Sequence, residues 1–446
     1  MRNAAYPRLC GFHFLFFTAK KTMFETHSFT QIEKGKLKAK NLANLLHPSN
    51  HVYLRPMNHR ILFLEKQNDF DRVMDALASA EWIGFDTEFV GEKTYIPILC
   101  LIQIVAGDEI YLVDTLRIGD LRKFLDIIAD PKVLKITHAG DNDYRLLNTL
   151  FGTVPQNTFD TQIAAGFIGY NYPAGFAKIV ERELRVSLAK SHTVADWATR
   201  PLEPKALDYA VEDVKYLPAL HGKLTRKLAG HQREAWAREE NRKWESPYFY
   251  EVDPNKELLS NDFVHQIGFQ EKVFLMRLYR WRVERAMELN IPKEQVLQSR
   301  FISTVLRATK DGPGAFRANR TLPENVWKKN LDIWQELWRR KPNDEEKDFL
   351  NALPKPAPED PEREWTMELL YHFVKKQCLE HEISAALLLP KGDFNRLKAG
   401  SDDFDDALLS GWRAELLGAE LVEWLTKGGK IEVEWGKGFC NLRMAE

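Results

Sequence analysis

The 446 residues contain only four cysteines, Cys10, Cys100, Cys378 and Cys440, and no two of them form a CxxC pair. Their spacing excludes a zinc ribbon or a disulfide-stapled scaffold, and it fits a reducing compartment, so a cytoplasmic location is expected. No apolar run reaches the roughly 18 residues that a membrane-crossing helix needs. The longest oily stretch near the start, LCGFHFLFF, is too short for that and could serve at most as a signal-peptide core. No membrane association is expected. Net charge is nearly absent, at −1, and runs with strand character almost vanish beyond residue 255.

What is present is a long soluble chain with 44% apolar and 28% charged residues, enough for about three domains of ~150 residues. The near-neutral total hides a regional pattern. Residues 1–60 carry +8, residues 61–260 carry −7, residues 261–341 carry +7 and residues 342–446 carry −9. A basic block between two acidic ones suits contact with a phosphate backbone, or simply a solvated helical surface.

From residue 82 onward, WIGFDTEF, CLIQIVAG, EIYLVD and VLKITHAG are short runs bounded by Gly and Asp that read as strands. LRKFLDIIAD, DYRLLNTLFG, TQIAAGFIGY and GFAKIVERELRV show helical spacing, as does one long helix from about Pro204 to Leu228. The spacing predicts an α/β domain with a mixed sheet, closed by the turn-rich ESPYFYEVDPN. Beyond it come a basic amphipathic helix, EKVFLMRLYRWRVERAMELN, and further helical segments up to the Pro-rich linker LPKPAPEDPERE. A second helical stretch follows, with a terminal strand expected at KIEVEW.

Three acidic groups lie at element edges within the α/β part. Asp86 and Glu88 end a strand and, two apart, point to the same side of it. Two close carboxylates near a buried strand repel each other unless a cation compensates them, and hard oxygen ligands suit magnesium or manganese. Asp141 and Asp143 open a helix just after His138; one can serve the helix N-terminus while the other points to a site. Tyr209 and Asp213, four apart, share a helical face. If the three groups converge, they suit two-metal phosphoryl chemistry. The bland alternative is a core tyrosine with solvated acids around it.

These motifs resemble the DEDD superfamily of 3'-5' exonucleases: Asp86 and Glu88 in DTEF, Asp143 in HAGDNDY, and Tyr209 with Asp213 in YAVED. The tyrosine subtype is indicated, because the histidine subtype would place His where Asp208 stands. DTEFVGEKTYIPILCLIQI, FDTQIAAGF, ADWATRPL and YAVEDVKYL further resemble the ribonuclease D family, in the same order. MRLYRWRVERAMELNIPKEQVL is similar to the opening of an HRDC domain, a helical nucleic-acid-binding module, and LLSGWRAELLGAEL to a second, more divergent one.

The resemblance implies a ribonuclease H-like exonuclease domain at 57–250 followed by two all-α HRDC-type modules, at 261–342 and 360–446. It implies 3'-5' hydrolysis of RNA, precursor tRNAs especially, with release of 5'-mononucleotides. Under it, Asp86 bridges two Mg2+ or Mn2+ ions, Glu88 and Asp213 complete one, Asp143 holds the other, and Tyr209 orients the attacking water. His138 is a candidate substrate contact. Arg277, Arg280, Arg282 and Arg285 are expected to help retain RNA; Tyr279, Trp281, Trp327, Trp334 and Trp338 are expected mainly in a core, with base stacking as the alternative. No protein partner is inferred.

An exonuclease acting on DNA or on other structured RNAs, and an inactive RNA-binding scaffold, stand as alternatives. Residues 1–56 lie outside the resemblance and are expected to form an N-terminal extension without fixed structure. A basic tail that holds RNA, an organelle-targeting segment and a start upstream of the natural one at Met57 are the readings open for it.

Overall fold

A computed structural model describes residues 59–188, 195–251, 253, 255–353, 360–398, 408–428, 430–437 and 439–445. The expected extension at 1–56 lies outside the described residues, as do residues 354–359 of the Pro-rich linker.

Six strands form one mixed sheet in the order β1-β4-β3-β2-β5-β6. They are β1 (Arg60–Leu64), β2 (Trp82–Val90), β3 (Ile98–Ala106), β4 (Glu109–Asp114), β5 (Leu134–Thr137) and β6 (Thr158–Asp160). The central strands β2, β3 and β4 run antiparallel, while β1 pairs parallel with β4, β5 with β2 and β6 with β5. The two outer strands, β1 and β6, escaped the sequence reading because five and three residues carry too little period-2 signal.

Alternation along the strands sorts the two faces of the sheet. Phe85, Ile102 and Ile104 bury against α1 (Gln67–Leu77), α2 (Arg122–Ala129) and α3 (Asp141–Phe151), where the Phe85 ring meets the edges of Phe124 and Tyr144. The opposite face, with Leu101, Val105 and Leu112, lies under α6 (Pro204–Lys215) and the start of α7 (Leu217–Gly230). Between these elements run α4 (Thr161–Gly166) and α5 (Phe176–Leu184), and α8 (Glu234–Asn241) follows. The single long helix expected from Pro204 to Leu228 is therefore two. Pro218 has no N–H to offer Val214, and its ring crowds that carbonyl, so the chain breaks at Tyr216.

After the short helix α9 (Lys256–Leu259), the middle module packs α10 (Phe269–Leu289), α11 (Lys293–Val296), α12 (Ile302–Asp311), α13 (Pro313–Ala318), α14 (Glu324–Arg339) and α15 (Asp344–Asn351) around a hydrophobic core of its own. Tyr279, Trp281, Trp327 and Trp334 belong to that core, and Trp338 packs against it. Helix α10, read as basic and amphipathic, is buried on more than one side, and two of the arginines expected to help retain RNA lie inside. Arg277 is 2% exposed and holds Glu346 through two nitrogens, at 2.7 and 2.5 Å, while donating to three backbone carbonyls. Arg282, equally buried, engages Glu257, Glu294, Ser299 and the Lys293 carbonyl. Arg277 thus spends all five of its donors and Arg282 four of its five inside the protein, and both are desolvated, so neither is placed to grip a phosphate.

The C-terminal module comprises α16 (Pro361–Glu380), α17 (Ala385–Leu388), α18 (Lys391–Lys398) and α19 (Gly411–Lys427), then a hairpin of β7 (Lys430–Gly436) and β8 (Phe439–Ala445). The expected strand has an unforeseen partner, so this module is not all-α. Its helices share one core with the α/β domain rather than forming a separate one. Trp412, fully buried, meets the Phe167 ring at 4.7 Å and donates from Nε1 to Glu240. Arg233 ties the Phe167 and His381 carbonyls together, and the Ser384 amide donates to the Gly166 carbonyl. Among the described residues no helix is long and apolar enough to cross a membrane.

Candidate active site

Strand β2 sets the site. Asp86 and Glu88 project from the face that α6 covers, and a β-bulge directly after Glu88 ends the regular alternation there. Helix α6 carries Asp213 over them. One oxygen each from Asp86, Glu88 and Asp213 lie within 4.8 Å of one another, all three groups half-buried.

Asp143 joins from the side. Strand β5 pairs with β2 only as far as Gly84, which leaves the continuation of β2 without a neighbour on that edge. Helix α3 starts where β5 stops, and Asp143 in its first turn accepts hydrogen bonds from the Thr87 side chain and the Thr87 backbone N–H. Asp143 is 6% exposed. It lies near enough to act electrostatically on the other three acids, though its oxygens fall outside the tight triad. Its companion Asp141 faces outward to Arg145, as a helix-start acid would. Thr87, between the two acids of the motif, is a residue the sequence reading passed over.

The electrostatics follow from crowding. Burial, then the charges of Asp143, Asp213 and Glu88, push the Asp86 carboxyl well above the usual carboxylate range. Burial and the Asp213 and Asp143 charges push Glu88 up to about 8. Asp143 and Asp213 are raised as well, chiefly by burial. Among the described residues, no Lys or Arg forms an ion pair with any of the four, and none is among the main causes of their shifts. Asp213 Oδ2 is buried with no protein hydrogen-bond partner. Acceptor-only oxygens, mutually repelling and within reach of one centre, fit a hard divalent cation.

Tyr209 sits one turn before Asp213, half-buried, and its hydroxyl donates to that carboxylate. Burial and the Asp213, Glu88 and Asp86 charges hold its phenol above the ordinary tyrosine value, so it stays protonated and serves as a donor. Its ring lies 6.3 Å from that of Trp197. The segment leading into α6 is fixed by Arg200, which grips Asp114 at 2.7 and 2.8 Å and donates to the Cys100 and Trp197 carbonyls. His138 stands apart from the triad. Its ring lies 5.1 Å from Phe176, its Nδ1 is 2.9 Å from Thr161 Oγ1, and it also bonds the Ala174 backbone.

Comparison with known proteins bears on the family and the fold. A family model described as 3'-5' exonuclease matches residues 62–229. Ribonuclease D of Nitrobacter hamburgensis is 30% identical over 371 residues, covering 80% of this chain and 95% of its own length. Ribonuclease D of Zymomonas mobilis is 30% identical over 383 residues, covering 83% and 95%. The crystal structure of Escherichia coli RNase D, an exoribonuclease involved in structured RNA processing, superposes with a TM-score of 0.71 at 26% identity, over 83% of this chain and 99% of that one.

Proposed function

Because the chain belongs to the ribonuclease D family and is a 3'-5' exoribonuclease, we propose that it trims the 3' ends of structured RNAs, precursor tRNAs foremost, releasing 5'-mononucleotides. The observation that carries the reading is the meeting of Asp86, Glu88 and Asp213 within 4.8 Å, with Asp143 beside them. Asp86, Glu88 and Asp213 would hold one divalent ion, and Asp86 with Asp143 a second. Two Mg2+ or Mn2+ ions at such a site supply Lewis acidity to the scissile phosphate and make water a competent nucleophile near neutral pH.

The remaining work falls to the chain itself. The four carboxylates, raised while metal-free, release their protons when they take up cations, so occupancy is favoured at higher pH. Tyr209, a protonated donor at the rim of the triad, would turn from Asp213 toward the attacking water and orient it. Thr87 keeps Asp143 in place through two hydrogen bonds. The middle and C-terminal modules would serve as HRDC-type RNA-binding elements, using surfaces other than the buried Arg277 and Arg282.

The test uses tailed tRNA, unstructured RNA, and single- and double-stranded DNA, each labelled at the 5' end, with Mg2+ or Mn2+. A ladder shortening from the 3' end on RNA is expected, with Asp86→Asn inactive yet still binding RNA. Full activity of that variant, activity undiminished in excess chelator, or equal degradation of DNA would overturn the reading.

A further inference from the structure

Strand β3 reads ILCLIQIVA, and the one amide in this oily run is Gln103. It faces the catalytic strand: in the antiparallel register of β2 and β3, Gln103 pairs with Asp86, Leu101 with Glu88 and Val105 with Gly84. Directly opposed residues of antiparallel strands project to the same side, with Cβ atoms about 5 Å apart. Gln103 therefore stands on the floor of the carboxylate site, beneath α6.

Its surroundings narrow what it can do. Gln103 is 0% exposed, and neither Nε2 nor Oε1 has a hydrogen-bond partner in the protein. Along β3 its same-face neighbours are Leu101 and Val105; across the sheet its neighbours are Leu112 on β4 and Asp86 on β2. Helix α6 closes the space from above with Ala206, Ala210 and Val214, in one apolar cluster with Leu101, Val105 and Leu112. Of the residues directly beside Gln103 in the sheet, Asp86 alone has a polar side chain; of the diagonal ones, Asp114 is held by Arg200 and Glu88 belongs to the same carboxylate triad. As a packing residue Gln103 makes little sense, because Leu or Met would fill the same volume without burying an unmet amide. Asp213 Oδ2, in the same triad, is the matching unpaired buried acceptor.

We propose that Gln103 is a positioning residue for the metal-holding carboxylates, its amide, unbonded here, turning so that Nε2–H donates to Asp86 and fixes the orientation in which Asp86 accepts a divalent ion. The direction of the amide follows from chemistry: an ionised carboxylate only accepts, so the nitrogen end must face it. Outer hydrogen bonds of this kind orient ligating oxygens, and their loss weakens metal affinity by roughly 10- to 100-fold. The inference rests on the reading of Asp86, Glu88 and Asp213 as ligands of a divalent ion.

Two apolar replacements, Gln103→Met and Gln103→Leu, test it in the full chain. Titration calorimetry with Mn2+ and Mg2+ alone, without RNA, is run beside melting curves in chelator. Both variants are expected to melt at or above the parent temperature in chelator while binding Mn2+ at least about tenfold more weakly, with half-saturating Mn2+ for trimming raised in proportion. Unchanged ion affinity in the variants, with the parent binding normally, overturns this inference and leaves the carboxylate reading standing. A parent that binds neither ion overturns both. Melting well below the parent in both variants makes Gln103 a structural residue and overturns the inference too.

Discussion

Replacing Asp213 by Asn should make the metal-free protein more stable while destroying its activity. A carboxyl whose native pKa is raised binds more protons folded than unfolded, so stability falls as pH rises from the unfolded value to the native one. For Glu88 that window runs from the ordinary 4.5 to about 8. After burial, the Asp213 charge is the largest cause of that shift. Each tenfold change in proton affinity is worth about 1.4 kcal/mol. Taken in full, the Glu88 shift alone amounts to on the order of 5 kcal/mol, of which burial holds the larger share and water at this half-buried site screens part. Relief of the Asp213 charge, felt also by Asp86, is then about 2 kcal/mol at pH values above about 8, and near zero below about pH 4, where both states are protonated.

The assay is thermal unfolding in chelator at several pH values. About 2 kcal/mol corresponds to a rise of roughly 4–8 °C for a domain of this size. Mg2+ at a hundred times its Kd should add about 2.7 kcal/mol to the parent and far less to Asp213→Asn. A metal-free variant less stable than the parent at about pH 8 would refute the reasoning, because the carboxylates would then not be repelling one another there.

Arg277→Ala leaves buried Glu346 with only the longer 3.7 Å contact to Arg340, and should destabilise the middle module by about 3 kcal/mol, seen as early protease cleavage within residues 269–351. Trp412→Ala empties the seam shared by the C-terminal module and the catalytic domain, and should lower the catalytic domain's stability by about 3–5 kcal/mol; an unchanged melting temperature would mean the two do not share a core. Thr87→Val removes a donor from buried Asp143 and should cost about 1–3 kcal/mol of stability while reducing trimming, with Thr87→Ser restoring both.

How much of this was legible beforehand depends on the range of the interaction concerned. DTEF announced two same-face carboxylates because strand alternation is local, and Tyr209 with Asp213 followed from one helical turn. The four central strands and most helices were read from periodicity. What periodicity cannot reveal is which faces meet. Arg277 and Arg282 look like surface cations along α10 until Glu346 and Glu257, far along the chain or across a turn, are found to neutralise them. Trp412 reads as an ordinary helix-start aromatic, and only its seat against Phe167 makes the C-terminal module part of the catalytic core. The break at Tyr216 was legible, since Pro218 stands in plain view and was overrun by the helical pattern on either side.

Asp143 shows why the site needs the whole fold. Its place in the first turn of α3 explains a helix-start acid and nothing more. Its role depends on where β5 ends: because the parallel pairing stops at Gly84, β2 runs on with an open edge, and α3 begins there. Asp143 then meets the Thr87 N–H and hydroxyl while its charge bears on Asp86. One short strand thus fixes both the open edge that must be hydrogen-bonded and the acid that does it. Lengthening β5 by a pair of residues would satisfy that edge with backbone instead, and would displace Asp143 from the carboxylates it now crowds.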